Sequence, residues 1–334
     1  MLKNKRSIVI IGAGGIVKDA HLPAYAKAGF KVEAIYDQDI DKAKKLAKEF
    51  EIPVACEHFN ELIEIANLHN CVFDIALPAS AIVKVLLELP DGAGVLIQKP
   101  MGENLEMAKT ILKICRKKKL VADINFQLRQ APYIAKAREI IDIGLIGKLH
   151  DIDVRMNVYT PWHLCNFLYL PRVEILYHSI HYIDMIRYFL GEPKDVFAKA
   201  TKHPNSKMLA DTRSTIILDY GDMIRANINT NHGHNFGLKH QESFFKFEGT
   251  EGAIKIKVGV YLDYPIGLPD EFEFISLKDD LGWRKVPIEG SWFPDAFIGP
   301  MAGLMSTLED ANFVYSIEDA IHTMEVVEKC YESS

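Results

Sequence analysis

Three short stretches of this 334-residue chain hold side chains able to bind an anion, steady a negative charge or pass a proton. The first is Gly12-Ala13-Gly14-Gly15-Ile16-Val17. Gly12 allows a tight turn after an apolar run, and Gly14 lets an anion approach the backbone where a following helix offers free N–H groups and a positive dipole end. The second is Gln98-Lys99-Pro100, in which a lysine closes another apolar run. An ammonium there either meets a developing negative charge or simply leaves for solvent. The third is Tyr177-His178-Ser179-Ile180-His181-Tyr182-Ile183-Asp184. On a helix, Tyr177, His181 and Asp184 are separated by four and three and share a face, and a neutral imidazole exchanges protons at physiological pH. His178, His181 and Asp184 also have the spacing of a metal site, but no cysteine or further histidine motif accompanies them, and no metal is expected. A plainer alternative makes His181 and Asp184 a helical pair on a solvated face, worth little energetically.

Each stretch needs an element to hold it. From Ser7 to about Asn125, the apolar runs Ile8 to Ile11, Val32 to Tyr36, Val72 to Leu77, Gly94 to Ile97 and Val121 to Ile124 alternate with helix-period segments such as Leu105 to Lys117. Nearly continuous apolar runs read as strands buried on both faces, so this part is a doubly wound α/β (Rossmann) domain over residues 1–125. Lys99 then falls at the carboxyl edge of a parallel strand, the side on which such sheets bind ligands. After Asn125, helices at Pro132 to Ile143 and Tyr177 to Leu190 end at Gly144 and Gly191. Strands with alternating patterns follow the first of these and then the second: Asp151 to Val158, Thr215 to Tyr220, Met223 to Thr230, Phe244 to Phe247, Ala253 to Val258 and Glu271 to Ile275. Alternation buries one face only, so residues 126–334 form an α+β domain on a mixed, mostly antiparallel sheet, with a hairpin turn at Gly221-Asp222. The last helix, Glu318 to Tyr331, could pack on either domain.

The glycine loop gains meaning from that context. Asp37 ends the second strand, where an acid accepts hydrogen bonds from both hydroxyls of an adenosine ribose and repels a 2'-phosphate, which favours NAD over NADP. The third glycine of the pattern is Val17, which loosens helix packing but keeps the anion site. Two alternatives remain: a simple strand-to-helix turn, or another doubly wound protein that binds S-adenosylmethionine. Asp37, Asp39 and Asp41 lack the glycine and distal glutamate of a calcium loop.

The totals exclude several classes. A formal charge of -6 gives no basic field for nucleic acid, and no apolar run approaches a membrane span or a signal peptide. Five cysteines without a C-x-x-C (Cys56, Cys71, Cys115, Cys165, Cys330) indicate neither a disulfide framework nor a zinc site, and fit a reducing cytoplasm.

Taken in order, these residues resemble the Gfo/Idh/MocA family, the glucose-fructose oxidoreductase, inositol dehydrogenase and rhizopine catabolism group. The resemblance rests on the glycine loop followed by His21-Leu22-Pro23-Ala24, on Lys99-Pro100, which resembles the family's E-K-P, and on Asn125-Phe126-Gln127-Leu128-Arg129. It continues through His181-Tyr182-Ile183-Asp184, Trp292-Phe293-Pro294-Asp295-Ala296-Phe297 and Ser316-Ile317-Glu318-Asp319-Ala320. It implies a dehydrogenase that moves a hydride between nicotinamide and a sugar or polyol, and a homodimer or homotetramer built on the open sheet. It implies Lys99 and His181 as catalytic groups with Tyr177 beside them. Gly12, Gly14, Gly15, Ile16, Asp37, Pro78, Gln98 and Lys99 are the implied cofactor contacts. Lys99, Gln127, Trp162, His178 and His181 are the implied substrate contacts, with Tyr159 to His163 and Trp292 as further pocket walls. Two departures stand out: Tyr177 occupies the place of an Asp four residues before the His, and Gln98 replaces the acid of E-K-P. Two other functions share the fold, a non-catalytic dinucleotide-binding sensor or co-regulator and an NAD-assisted glycoside hydrolase.

Overall fold

The computed structural model describes residues 5–162, 167, 169–207, 210–264, 266–309 and 316–334; His163 and Cys165 lie outside the described residues. The chain forms two compact units, Met1–Gln130 with Trp292–Met324, and Ala131–Ser291 with Glu325–Ser334.

In the first unit, β1 (Ile8–Ile11), β2 (Val32–Tyr36), β3 (Val54–Cys56), β4 (Val72–Ile75), β5 (Gly94–Gln98) and β6 (Val121–Asn125) form one sheet in the order β3-β2-β1-β4-β5-β6. Every pairing is parallel. The order reverses between β1 and β4, which opens the crevice where doubly wound sheets bind ligands. All residues of β1, β4 and β5 are buried, as their unbroken apolar runs require. β3 was not among the expected strands, because three residues are too few to show a period. Helices α1 (Leu22–Ala28), α2 (Ile40–Glu49), α3 (Phe59–Leu68), α4 (Ile82–Glu88) and α5 (Leu105–Lys117) link the strands. α5 has the expected bounds, is capped by Asn104, which accepts from the Met107 N–H at 2.9 Å, and buries Ala108, Ile111, Leu112 and Cys115.

The second unit begins with α6 (Pro132–Asp142) and β7 (Leu149–Asn157). α7 (Ile180–Leu190) follows, and then β8 (Asp195–Thr201), β9 (Arg213–Asp219), β10 (Arg225–Asn231), β11 (Glu242–Gly249), β12 (Gly252–Lys257), β13 (Glu271–Ser276) and β14 (Arg284–Lys285). The eight strands run β14-β13-β12-β11-β7-β10-β9-β8, with β7 and β10 parallel and the other pairs antiparallel. β9, β10 and β11 alternate buried and open residues, the predicted one-sided pattern. Gly221 turns β9 into β10 with a φ of 91°, a left-handed value natural to glycine. The unexpected strands, β8 and β14, are the two edges of the sheet.

The segment Trp292–Met324 rejoins the first unit, although the expected division near residue 125 kept it with the second domain. The reason is apolar surface: α8 (Ile298–Glu309) buries Met301, Leu304 and Met305 in the cluster that holds Ile8, Ile10, Val72 and Leu96. α9 (Ile317–Ser333) starts in the first unit, and its residues from Glu325 count with the second.

Candidate active site

In the first unit, the expected cofactor residues all fall at the carboxyl ends of parallel strands. The loop after β1 begins at Gly12, whose φ is 111° and whose N–H donates to the Tyr36 carbonyl at 2.7 Å. A Cβ there would lie 2.4 Å from the Ala76 carbonyl oxygen, so no other residue fits. At Gly14 a Cβ would meet nothing within 4 Å, which leaves that backbone open to a ligand. The helix that leaves the loop is wound as a wide π turn over Val17–His21 before α1, and Val17 is fully buried at the third-glycine position. Asp37 follows β2, and its two carboxylate oxygens accept from the Ala13 N–H at 2.7 Å and the Asp39 N–H at 2.9 Å. Its charge is therefore fixed against the loop, with lone pairs left for further donors. Pro78 is exposed just beyond β4.

Lys99 comes directly after β5, in a bend rather than in the strand, and its bond to Pro100 is cis. Desolvation pushes its ammonium down to about 8. Three buried carboxamides sit at the ends of β5 and β6: Gln98, Asn125 and Gln127 are 7%, 0% and 1% exposed. Gln98 and Asn125 are register partners. Gln98 Oε1, Gln127 Oε1 and both amide atoms of Asn125 have no protein partner. Buried polar atoms in that state need a ligand or ordered water that brings its own donors and acceptors. A bare glycine backbone for a pyrophosphate and unsatisfied carboxamides further along the same edge both fit a bound dinucleotide.

In the second unit, Tyr177 and His178 belong to a π turn, Glu174–Ser179, that runs straight into α7. The helix thus starts before the expected Tyr177. Tyr177 and His178 are half-buried, while His181 is 4% and Asp184 0% exposed. The solvated-face alternative fails, because every residue from Ile180 to Arg187 is buried. Asp184 lies 3.9 Å from the Arg187 guanidinium. Rings gather at the head of the helix: Trp162 meets His178 at 4.9 Å between centroids and His232 at 5.2 Å, and Phe167 meets Tyr177 at 4.9 Å. Trp292, expected as a pocket wall, is 1% exposed and belongs to the first unit. No cluster of three or more His, Cys, Asp or Glu placed to hold a metal occurs among the described residues.

Two buried groups escaped sequence reasoning. Asp74, inside β4, accepts from Tyr25 at 2.8 Å and pairs with His21 Nδ1 at 2.7 Å, tying the helix that leaves the glycine loop to the sheet. Burial first, and the Asp74 charge second, push the Tyr25 phenol well above its ordinary range. The second group is Glu174, buried beside His232. In both cases the signal was an acid inside an apolar run, Val72-Phe73-Asp74-Ile75 and Val173-Glu174-Ile175-Leu176, which demands a partner from elsewhere.

Comparison with known proteins bears on the family and the fold. Residues 6–126 match the oxidoreductase family with an NAD-binding Rossmann fold, and residues 134–255 match the GFO/IDH/MocA C-terminal domain. A protein of Saccharomyces cerevisiae is 28% identical over 75% of this chain and 73% of its own length. The 1,5-anhydro-D-fructose reductase of Ensifer adhaerens is 24% identical over 84% of this chain and 82% of its own. A levoglucosan dehydrogenase solved with NADH and levoglucosan superposes with a TM-score of 0.81 at 18% identity, covering 99% of this chain and 97% of its own. With the glycine-loop sheet and the eight-stranded sheet both in place, the chain belongs to the GFO/IDH/MocA family and is an NAD(P)-dependent dehydrogenase.

Proposed function

We propose that the protein oxidises or reduces a CH–OH group of a sugar, a polyol or a sugar-derived alcohol, with NAD preferred to NADP. The observation that carries this reading is Lys99, a desolvated lysine at the carboxyl edge of β5 with its pKa down to about 8. At pH 7 such a group is still roughly nine-tenths ammonium, yet it is poorly hydrated and gains strongly from a nearby oxyanion. Gly12, Gly14, Gly15 and Ile16 hold the dinucleotide's phosphates, Asp37 its adenosine ribose, and Pro78, Gln98 and Lys99 its nicotinamide half. Nicotinamide supplies the hydride acceptor or donor when bound. Lys99 hydrogen-bonds the reacting substrate oxygen and stabilises its negative charge, while His181 takes or returns the hydroxyl proton. Tyr177 steadies that exchange with a hydrogen bond, since a phenol carries no charge near neutrality. Gln127, Trp162 and His178 bind the substrate, whose C–H faces pack well on aromatic rings.

The preference for NAD rests on Asp37, whose carboxylate would face a 2'-phosphate. Relatives named for 1,5-anhydro-D-fructose and levoglucosan support a sugar-like substrate. The reading includes a homodimer or homotetramer and a reducing cytoplasm, the latter in keeping with the buried free thiols of Cys56, Cys71, Cys115 and Cys330. The test is an absorbance screen of aldoses, polyols and sugar acids with NAD and NADP, read at the NADH band. Lys99→Ala and His181→Ala should lower turnover of the responding alcohol by about 100-fold or more while coenzyme binding persists. Undiminished turnover in both variants would reject the assignment.

A further inference from the structure

The glycine loop is fastened on both sides, and one of the fastenings is a buried acid inside the sheet. Upstream, the Gly12 N–H donates to the Tyr36 carbonyl at 2.7 Å and the Ala13 N–H to the Asp37 carboxylate at 2.7 Å. Downstream, α1 is anchored by its buried Leu22, Ala24 and Tyr25. Between the two lies the π turn Val17–His21, in which the Leu22 N–H reaches back five residues to the Val17 carbonyl. The loop enters that turn through Gly14, whose carbonyl accepts from the Val17 and Lys18 N–H groups at 3.1 and 3.2 Å. A π turn holds one residue more than an α turn and is rarely kept without a local cause. The cause here is His21, the last residue of the turn: its Nδ1 lies 2.7 Å from Asp74 Oδ2, and both side chains are fully buried. Nε2 of the ring has no protein partner, so Nδ1 is its polar hold on the fold. Asp74 sits inside β4 opposite Ile10 of β1, one residue short of the end from which the loop springs. An apolar side chain would fill that place without direction, whereas a carboxylate fixes where the ring must sit.

We propose that His21 and Asp74 are positioning residues for the coenzyme: their bond keeps the turn wound, and the wound turn sets the direction in which Gly14, Gly15 and Ile16 present their N–H groups to the pyrophosphate. If the turn lost its extra residue, the chain on one side would rotate against the other by about 100°, one residue of an α-helix. Gly12 and Ala13 are tied on one side and α1 is packed on the other, so that rotation falls on Gly14 to Ile16. The proposal rests on the reading that these residues hold the phosphates, and it extends that reading to two side chains sealed inside the fold.

The test is the affinity of the full-length protein for NAD and ADP by calorimetry, and for adenosine, which lacks the phosphates, by ligand-observed magnetic resonance. His21→Leu should bind NAD and ADP about tenfold more weakly, the loss of one good hydrogen bond to a charged group, with adenosine unchanged. His21→Asn, whose side-chain N–H can occupy the place of Nδ1, should restore ADP affinity. Tyr25→Phe removes the other donor on the same Asp74 oxygen from within α1, outside the turn, and should lower stability while ADP binds as before. Should His21→Leu fold poorly, Asp74→Asn combined with His21→Leu leaves no charge at that place, still accepts from Tyr25, and should give the same selective loss. Unchanged ADP affinity in these variants, an equal loss of ADP and adenosine, or the same loss in Tyr25→Phe, would overturn the proposal. Unaltered protein that ignored ADP would sink the phosphate reading and the proposal with it. Turnover plays no part in this readout, so an enzyme inert toward every alcohol would refute the proposed function and leave the role of His21 decided on its own.

Discussion

Lys99 should make the protein less stable than it would be without a charge there. In an unfolded chain a lysine releases its proton at its ordinary value of 10.5, whereas in the folded protein desolvation brings that down to about 8. The gap corresponds to about 3 kcal/mol against the folded state, fully present below pH 8. As the pH rises from 8 to 10.5 the folded protein gives up the proton first, the unfolded chain still holds it, and the folded state gains stability through that window. Methionine has a similar length and no charge, so Lys99→Met should be more stable at pH 7 by up to about 3 kcal/mol, or several degrees in thermal midpoint. The advantage should shrink steadily above pH 8. Urea denaturation of the two proteins at pH 7, 9 and 10.5 isolates the effect, because all other groups titrate alike in both. A variant no more stable at pH 7, or a difference that does not narrow with pH, would refute the desolvation argument. The same residue sets an activity limb: if the ammonium is the working form, kcat/KM should fall about tenfold per pH unit above 8.

Other perturbations separate fold from chemistry. Gly12→Ala forces a side chain against the Ala76 carbonyl at a φ of 111° and should lower the melting midpoint sharply. Gly14→Ala should melt normally, yet bind NAD about tenfold more weakly in a calorimetric titration, because its Cβ occupies space that is empty in the protein. Asp37→Ala should lose NAD affinity and shift the NAD/NADP affinity ratio toward NADP by about tenfold, a Coulomb-sized change measurable by fluorescence titration. Tyr177→Phe should lower kcat by about tenfold with coenzyme affinity unchanged, as expected for lost hydrogen-bond support rather than lost charge. Tyr25→Phe removes one of the two donors on the buried Asp74 oxygen and should cost about 1–2 kcal/mol in denaturant titrations.

Much of the coenzyme edge was legible because its signals are local. An apolar run, a glycine turn and a helix start are contiguous in sequence, and Asp37 and Lys99 directly follow strands that the pattern identifies. The helical place of His181 was legible in the same way, but its burial was not: one polar stripe fits a wet face or a satisfied interior equally well. What stayed hidden depends on distant partners. Asp74 and His21 are 53 residues apart, and His232 stands between Thr160 and Glu174 on separate elements. α8 was missed for a different reason: Ile298 to Glu309 is apolar nearly all round and offers little helical periodicity, so only the sheet it covers identifies it.

The return of Trp292–Met324 to the first unit has a consequence for how the protein is made. A chain emerging from the ribosome completes the last strand of the coenzyme sheet by Asn125, but a Cβ on Gly94 would touch Leu308, a measure of how closely that sheet surface is overlaid by residues synthesised much later. Until then Leu96 and its apolar neighbours lack part of their cover, so the nascent nucleotide half should remain a client of chaperones while the whole second sheet is translated.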